Sequence, residues 1–323
     1  MNVVVTGGAG YIGSVCVEAL CAAGHDVTVV DNLSEGHRAA VDPRARLVVL
    51  DLADRAGLNG LLNSSRPAAV VHFAASALVG ESMRDPSLYF RNNVLSGLNL
   101  ADAAVASGVR RFVFSSSCAT YGTPEQVPMD ESQPQRPINP YGESKWMFER
   151  ILHWYGQIHG LEPVILRYFN AAGATRRCGE HHRVETHLIP NILRVALGQT
   201  AQVEVYGTDY PTPDGTCIRD YVHVADLAEA HRLALEPGRV GAFNLGTGTG
   251  ASVREVIAAC ERVSGRPIAV RTMPRRAGDP PRLVAAADKA YRELGWRPKF
   301  TLIEDVVATA WDWHRRHPEG YPD

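Results

Sequence analysis

The first half of the chain alternates short apolar runs with longer segments of helical periodicity. The apolar runs are rich in β-branched residues and nearly continuous, which is typical of strands buried on both faces of a parallel sheet. They predict strands at 3–6, 27–31, 47–51, 70–74, 112–115 and 164–168, with helices at 14–23, 86–107 and 141–159. This alternation of strands and long crossovers predicts an α/β fold with a doubly wound parallel sheet.

After about residue 170 the pattern loosens, with glycines, prolines and charges interrupting single elements. The remaining periodic segments predict helices at 188–197, 224–235, 253–263 and 302–314, and a strand at 242–245. We therefore expect two domains, residues 1–170 and a smaller α/β domain over 171–323. Segments near 216–247 are expected to return to the first domain.

Composition narrows the function without deciding it. Lys+Arg number 33 and Asp+Glu 35, a net charge of −2 that argues against a general nucleic-acid binder. No apolar run reaches the length of a membrane span, and the first residues lack the pattern of a signal peptide, so we expect no membrane association. The six cysteines are scattered and never form Cys-x-x-Cys. Free thiols in a reducing cytoplasm are the expectation.

A glycine-rich turn follows the first predicted strand and opens the first helix. Gly7, Gly10 and Gly13 have the spacing Gly-x-x-Gly-x-x-Gly. Glycines there permit a tight turn and let a pyrophosphate approach the N–H groups of the helix N-terminus. A ligand-free turn is the alternative, but the position between strand and helix favours a Rossmann-type dinucleotide site.

Two acidic residues end the next strands. Asp31 closes the second strand, where its carboxylate can accept hydrogen bonds from a ribose diol and would repel a 2′-phosphate. This favours NAD over NADP. Asp51 ends the third strand, and Leu52 beside it is placed to meet the adenine. The alternative for either aspartate is a plain helix N-cap.

Tyr141 and Lys145 are spaced i, i+4 at the start of a predicted helix, so they share one helix face. A tyrosine has a pKa of about 10 and is a poor base at neutral pH. A nearby ammonium and the positive nicotinamide of NAD are expected to lower that pKa, so that the phenol can exchange a proton with a substrate hydroxyl. The hydroxyls of 115–117 end the fifth strand, at the edge where such sheets bind ligands.

Together these motifs resemble the extended short-chain dehydrogenase/reductase family, and within it most closely the UDP-glucose 4-epimerases (UDP-galactose 4-epimerases). The resemblance runs from Val3 to the C-terminus. The matching stretches are 6–13, 31–33, 72–74, 79–82, 92–94, 114–117, 121–122, 140–145, 167–170, 207–224 and 244–246.

The resemblance implies a role for individual residues. Tyr141 is the implied base, Lys145 its partner, and Ser117 the group that binds the sugar 4-hydroxyl. The residues implied to hold NAD are Gly7, Gly10, Tyr11, Ile12, Gly13, Asp31, Asn32, Asp51, Leu52, Phe73, Ala74, Asn92, Ser115, Tyr141, Lys145 and Tyr168. Those implied to hold the UDP-sugar, besides Ser117 and Tyr141, are Asn170, Leu188, Tyr206, Arg219, Arg276, Asp279 and Leu283.

The implied reaction is NAD-dependent 4-epimerisation of a UDP-hexose through a 4-keto intermediate. Net redox change is zero, so NAD is expected to stay bound. Residues 1–170 are then the NAD-binding domain and 171–323 the UDP-sugar-binding domain. A homodimer is also implied, through the helices at 86–107 and 141–159.

Leu283 and the loop around Arg183 bear on which UDP-sugar is accepted. Leu283 falls where some relatives carry a bulky tyrosine that excludes 2-N-acetyl sugars, so N-acetyl substrates are expected to fit; simple packing is the alternative. Arg183 and Val184 replace the Asp-Pro of many relatives and, with Arg176 and Arg177, form a cationic cluster. This loop is either solvated or recognises a 6-carboxylate, which would make the chain a UDP-glucuronate 4-epimerase.

Other functions are disfavoured by the same stretches. The tandem histidines 181–182 lie in no His-Glu-x-x-His pattern and near no cysteine pair, so no metal is expected. A nucleotide-sugar dehydratase or reductase on the same scaffold is the alternative; a dehydratase is expected to have acidic residues directly after Ser117, where Cys118 stands. A non-catalytic NAD-binding regulator has no need of Ser117, Tyr141 and Lys145 together. For Arg219, a surface ion pair with Asp220 is the alternative.

Overall fold

A computed structural model of the chain describes residues 1–276 and 278–322. Its strands, in chain order, are β1 (Asn2–Thr6), β2 (Asp26–Asp31), β3 (Arg46–Val49), β4 (Ala69–His72), β5 (Arg111–Ser117), β6 (Glu162–Tyr168), β7 (Asn170–Ala172), β8 (Val203–Tyr206), β9 (Ile218–Arg219), β10 (Tyr221–His223), β11 (Gly241–Leu245), β12 (Ala251–Ser252), β13 (Val270–Met273) and β14 (Arg282–Leu283). Its α-helices are α1 (Tyr11–Ala22), α2 (Arg55–Ser65), α3 (Val79–Ser82), α4 (Pro86–Tyr89), α5 (Ser96–Ala106), α6 (Pro140–His159), α7 (Leu188–Ala196), α8 (Val224–Ala234), α9 (Val253–Ser264) and α10 (Ile303–Arg316).

Seven parallel strands form the central sheet, in the order β11-β6-β5-β4-β1-β2-β3. Strands β4 and β5 are buried along their whole length, which explains their continuous apolar sequence. The strand order reverses between β1 and β4: β2 and β3 follow on one side of β1, and β4, β5 and β6 follow on the other. Such sheets bind ligands at this point. The predicted doubly wound α/β fold is confirmed.

Helices cover both faces of this sheet. On one face α1 and α8 pack through Leu20 and Leu227, and on the other α2, α5 and α6 pack through Leu58, Leu100 and Phe148. Helix α6 begins at Pro140, after the Asn139 side chain caps the N–H of Gly142 at 2.8 Å. This cap fixes where the helix starts and therefore where its first turn meets the sheet edge.

The predicted helix at 86–107 is interrupted. Between α4 and α5 the six residues Phe90–Leu95 form a π-helical segment. There Asn93 accepts a hydrogen bond from the N–H of Ser76 at 2.8 Å and donates to Ser144 Oγ at 3.0 Å. The wider turn directs this amide between the β4–α3 loop and α6, a local rearrangement that helical periodicity does not reveal.

The second half of the chain builds a smaller region beside the sheet. Helices α7, α9 and α10 enclose an apolar cluster that includes Ile192, Val256 and Val307. Small sheets of β8 with β13, and of β12, β9 and β14, border it. By contrast, β11 pairs with β6 and α8 packs on α1, so this part of the chain returns to the central sheet.

Two expectations from composition can be compared with the fold. Among the described residues, no helix has both the length and the apolarity needed to cross a membrane. All six cysteines are buried and unpaired, as predicted.

Candidate active site

The glycine loop between β1 and α1 is packed too closely for side chains. Gly7 has φ +72°, and a Cβ there would lie 2.4 Å from the backbone nitrogen of Ala74. A Cβ on Gly13 would lie 2.1 Å from the carbonyl oxygen of Gly7. Helix α1 then begins without a side-chain cap. Its first N–H groups therefore face the loop as donors for an anion, which fits a pyrophosphate.

Asp31 joins the glycine loop to the loop that follows β2. Its carboxylate accepts the N–H of Ala9 at 3.0 Å and the N–H of Leu33 at 2.9 Å. Burial raises the pKa of Asp31, and the two N–H groups oppose that rise. The carboxylate is thus fixed at the end of β2, where the ribose was expected.

Asn32 and Asp51 meet at the same edge, where Asn32 Nδ2 donates to Asp51 Oδ2 at 2.9 Å. Asp51 also accepts the N–H of Ala53, but the residue that caps α2 is Asp54. The N-cap alternative for Asp51 is therefore wrong. Leu52 is buried, and its carbonyl accepts the Asn99 amide at 3.1 Å.

The strand ends beside this edge bring together most of the other implied NAD residues. The N–H groups of Phe73 and Ala74 both donate to the carbonyl of Thr6, which joins the ends of β4 and β1. Ser115 Oγ lies 2.9 Å from Nε2 of His231, whose ring also lies near those of Phe73 and Tyr168. His231 was not predicted, because it comes from α8, more than a hundred residues later.

Three implied NAD residues lie at the margins of this edge. Ile12 is half-buried against the core on the α1 side. Asn92 donates to Ser76 Oγ at 3.0 Å from the π-helical segment. Tyr11 donates from its hydroxyl to the carbonyl of Gly173 at 2.6 Å, and burial raises the pKa of Tyr11. Tyr11 therefore ties the glycine loop to the chain that follows β7.

Lys145 is held at the carboxyl end of β5. Its Nζ donates to the carbonyl of Ser115 at 2.9 Å and lies 5.9 Å from the ring centroid of Tyr141. The side chain is buried, and burial lowers the pKa of Lys145 to about 7, against the attraction of Glu149. Lys145 and Tyr141 therefore share one face of α6 at the strand end, as predicted.

The protein's own groups do not lower the pKa of Tyr141; the prediction also counted the charge of the nicotinamide. Burial raises this pKa to about 12, because removal from water disfavours the phenolate, while the Ser117 hydroxyl acts in the opposite direction. Lys145 is bonded to the Ser115 carbonyl instead. The protein's own groups therefore hold Tyr141 as a neutral phenol at pH 7.

Ser117 is the last residue of β5 and starts a tight turn over Cys118–Thr120. Its Oγ accepts the N–H of Ala119 at 3.1 Å, which leaves its proton available to another acceptor. The residue is almost fully buried beside Tyr141. The hydroxyls of Ser117 and Tyr141, which were expected to contact one substrate oxygen, therefore lie next to each other.

Glu149 was missed in the sequence, although its i+4 spacing from Lys145 on α6 was a visible signal. Its carboxylate forms a buried, two-pronged ion pair with Arg167 of β6, with Nη2 and Oε2 2.6 Å apart. Arg167 also donates to Tyr121, whose hydroxyl donates to Asn244 at 2.8 Å. Ser116 of β5 also donates to Glu149, so this network holds α6 against β5 and β6 near the candidate catalytic pair.

Four of the residues implied to bind the UDP moiety lie at the end of β8, on β9 and in the loop before β14. Arg219 forms an ion pair with Asp279, and the Arg276 guanidinium lies 4.0 Å from the ring centroid of Tyr206. The predicted alternative, a pair between Arg219 and Asp220, is wrong. The Asp220 carboxylate accepts backbone N–H groups at 247, 248 and 285 instead.

The other implied substrate residues lie around this group. Leu283 is the register partner of Arg219 and packs against a small cluster with Cys118 and Phe169, consistent with the packing alternative. Asn170 starts β7, and its N–H donates to the carbonyl of Asp220. Leu188 is the first residue of α7.

The cationic loop does not form an anion pocket. Arg183 donates to the carbonyls of Ser34 and Leu33, and Arg177 donates to the carbonyls of Val41 and Ala39. Both guanidiniums are therefore used to hold the loop after β2. These bonds to distant backbone carbonyls do not favour the alternative in which Arg177 and Arg183 recognise a 6-carboxylate.

His72, at the end of β4, makes stability depend on pH. Burial lowers its pKa to about 3, with Lys145 nearby adding to the effect. An unfolded histidine has a pKa of about 6.5, so the unfolded chain binds more protons below that pH and the fold loses stability as the pH falls. His72 should account for about 2 kcal/mol of the stability lost between pH 7 and pH 5.

Urea unfolding of the wild type and of His72→Gln at both pH values tests this. We expect the loss of unfolding free energy on acidification to be smaller in the variant by that amount. His153→Gln, which changes an exposed histidine on α6, should keep the wild-type loss. Equal losses in His72→Gln and the wild type would contradict the assignment.

Residues 3–246 match the NAD dependent epimerase/dehydratase family. A UDP-glucose 4-epimerase of Lacticaseibacillus casei is 49% identical over 100% of this chain and 99% of its own. The crystal structure of a Brucella ovis UDP-glucose 4-epimerase in complex with NAD has a TM-score of 0.94 at 47% identity, covering 97% and 98% of the two chains. That of a Bifidobacterium longum UDP-glucose 4-epimerase with NAD+ and UDP has a TM-score of 0.95 at 38% identity, covering 99% and 100%.

Proposed function

The chain belongs to the NAD dependent epimerase/dehydratase family, and we propose that Tyr141, Lys145 and Ser117 carry out its chemistry. That chemistry is the NAD-dependent 4-epimerisation of a UDP-hexose. The relatives that match over the full length are UDP-glucose 4-epimerases, which confirms the predicted enzyme class. The observation that carries the residue assignment is the bond from Lys145 to the Ser115 carbonyl. It fixes the first turn of α6, and with it Tyr141, at the carboxyl edge of the sheet.

The residues around the glycine loop fit NAD. The uncapped start of α1 suits the pyrophosphate, and Gly7 and Gly13 leave no room for side chains that would block it. Asp31 retains lone pairs for a ribose diol, and its negative charge disfavours a 2′-phosphate. Phe73, Ala74, Ser115 and Tyr168 would line the path from this edge to Tyr141. When bound, NAD supplies the acceptor and donor of the C4 hydride and a positively charged nicotinamide ring.

The chain's own residues supply proton transfer and positioning. The positive charges of the bound nicotinamide ring and of Lys145 would lower the pKa of Tyr141 and favour its phenolate. Ser117 would hold the sugar 4-hydroxyl against Tyr141, whose phenolate oxygen takes up the hydroxyl proton as the 4-ketone forms. Lys145 stabilises the phenolate that this requires, because its ammonium lies one helical turn away. Tyr141 then returns the proton when the 4-hydroxyl is regenerated with opposite configuration. Proton transfer by a positioned side chain contributes about 10²–10⁴-fold to rate.

The UDP moiety would bind on the far side of Tyr141 from the glycine loop. Arg219 and Arg276 are two guanidiniums with the planar, forked geometry that suits a diphosphate. Asp279 holds Arg219 in place, and Tyr206 stacks on Arg276. Asn170, Leu188 and Leu283 would complete the pocket from β7, α7 and β14.

A panel of UDP-glucose, UDP-N-acetylglucosamine and UDP-glucuronate tests the function and its range. We expect conversion of UDP-glucose to UDP-galactose, and turnover of the N-acetyl sugar because Leu283 leaves space at C2. UDP-glucuronate should not be turned over, since Arg183 and Arg177 are bonded elsewhere. No 4-epimer from UDP-glucose would refute the function, while no N-acetyl product would refute only the role of Leu283.

Leu283→Tyr sharpens the last point. The larger ring should lower N-acetyl turnover at least about tenfold, the usual scale for one steric group in a pocket, with UDP-glucose turnover retained. Leu302→Tyr, at an exposed position before α10, is the matched control and should change neither. An equal loss on both sugars in Leu283→Tyr would contradict a role in specificity.

We also propose that the chain is divided into two functional domains. Residues 1–170 would bind NAD and residues 171–323 the UDP-sugar, with 216–247 returning to the first domain. The pairing of β11 with β6 supports this return. A cytoplasmic location is proposed as well, since six unpaired cysteines suit a reducing compartment.

A homodimer would be built on α6 and the helices before it. Met147, Trp154 and Ile158 form an exposed apolar stripe on α6, with Trp154 58% and Ile158 68% exposed. Leu88 and Leu95 are also exposed on the neighbouring segment. A second copy that covers this surface would remove it from water.

Light scattering after size exclusion measures the assembly. We expect a mass of two chains for the wild type and one chain for Trp154→Asp/Ile158→Asp, because burying the two carboxylates in the interface is unfavourable. Leu302→Asp places one carboxylate on an exposed apolar residue elsewhere and should remain dimeric. A monomeric wild type, or an unchanged mass in the double variant, would refute this surface.

A further inference from the structure

The segment before α7 gathers four metal-binding side chains that the catalytic site does not use. Glu180, His182, Glu185 and His187 each offer one ligand atom, and the four atoms lie within 4.8 Å of one another. Two imidazoles with two carboxylates make a donor set of two nitrogens and two oxygens. Sequence spacing alone did not indicate it, because the loop folds back on itself between Glu180 and His187.

The distances between these atoms suit a tetrahedral ion. Nδ1 of His187 lies 2.8 Å from Glu185 Oε1 and 3.0 Å from Glu180 Oε1. Nδ1 of His182 lies 3.2 Å from Glu185 Oε2 and 3.6 Å from Glu180 Oε1. A tetrahedron of ligands about 2.0–2.1 Å from zinc has edges of about 3.4 Å. With one atom from each side chain, the four lie within 4.8 Å of one another, so the wider pairs must close toward 3.4 Å to surround one ion.

The burial of the two carboxylates is an independent indication. The side chains of Glu180 and Glu185 are 6% and 2% exposed. Among the described residues, no hydrogen bond reaches Glu180, whose carboxylate points at the two histidines. A proton on His187 Nδ1 can point at one carboxylate oxygen only, although two lie within 3.0 Å. A single cation bound between the four side chains would compensate both buried carboxylates at once.

We propose that Glu180, His182, Glu185 and His187 form a structural Zn²⁺ site. Imidazole and carboxylate ligands suit zinc, and four protein ligands leave no open position for catalysis. The site lies between two parts of the candidate active site. The His182 ring is 6.3 Å from that of Tyr11 in the glycine loop, and His187 directly precedes Leu188 at the start of α7. The ion would hold the start of α7 beside the NAD loop.

Zinc content of the untagged holoenzyme tests the site, in the absence of UDP-sugar so that no diphosphate competes. The protein is exposed to excess Zn²⁺, passed into metal-free buffer and analysed by mass spectrometry for metal. We expect about one zinc per chain for the wild type and for His153→Gln, and affinity at least about 100-fold lower in His187→Gln and Glu180→Gln. Competition with a chromophoric chelator measures the affinity.

Two further readouts do not depend on activity. Removing zinc with a chelator should lower the wild-type Tm, and adding it back should restore the Tm, whereas Glu180→Gln should show neither change. Co²⁺ in place of zinc should give the visible absorption of a tetrahedral site. A wild type that retains no zinc, or retains the same zinc as both variants, would overturn the proposal and leave the cluster as protonated histidines paired with carboxylates. Should the variants fail to fold, the wild-type zinc content alone decides.

Discussion

Tyr141→Phe should lower kcat for UDP-glucose epimerisation by about 10³-fold, the middle of the range for a positioned acid–base group. The change removes one oxygen and leaves the buried ring in place, so NAD binding and the fold should be retained. Steady-state rates, with bound NAD measured after denaturation, separate these effects. KM for UDP-glucose should change little, because the phenol acts on the proton of the reacting hydroxyl rather than on the nucleotide.

Tyr155→Phe is the matched control, since it removes a tyrosine hydroxyl from the same helix, where the group contacts Asp102. We expect its kcat to stay within about twofold of the wild type, as for a substitution that leaves the reacting groups untouched. Full activity in Tyr141→Phe, or an equal loss in both variants, would show that another group moves the proton.

Gly7→Ala should abolish NAD binding at concentrations that saturate the wild type and lower the free energy of unfolding by about 2–5 kcal/mol. Two causes add. The backbone at Gly7 has φ +72°, and the new Cβ would lie 2.4 Å from the Ala74 nitrogen, so β4 or the loop must move. Displacing the loop by about 1 Å is enough to cost about 10²-fold in a positioned site.

Gly60→Ala makes the same chemical change where the new Cβ meets no atom within 4 Å. Because Gly60 lies inside α2, alanine there should stabilise the protein by about 0.5–1 kcal/mol and leave NAD binding unchanged. Calorimetric titration of NAD into coenzyme-stripped protein and urea unfolding measure both effects. Normal NAD binding by Gly7→Ala would contradict the role of the loop.

Local sequence predicted the parts of the site that depend on local structure. The runs that became β1, β2 and β5 are apolar because both faces of these strands are buried, and that placed Gly7, Asp31 and Ser117 at one edge. The i, i+4 spacing of Tyr141 and Lys145 predicted a shared face, which the structure shows. Hydrophobic periodicity and residue spacing predict such local arrangements directly.

Relations between distant segments were not predictable in this way. His231 reaches Ser115 across 116 residues, and Arg183 donates to Ser34 across 149. Nothing in the local pattern of either segment encodes its partner. Burial of Tyr141 was likewise not predictable from local sequence, and among the protein's own groups it dominates the pKa of that residue.

The central claim is that Tyr141 removes and returns a proton while the C4 hydrogen leaves and returns within one closed site. UDP-glucose carrying deuterium at C4, turned over by the purified holoenzyme without added NAD, tests it most directly. The account predicts UDP-galactose that retains the deuterium at C4, with none released to water. Loss of the label to solvent, or no turnover until fresh NAD is supplied at each cycle, would contradict it.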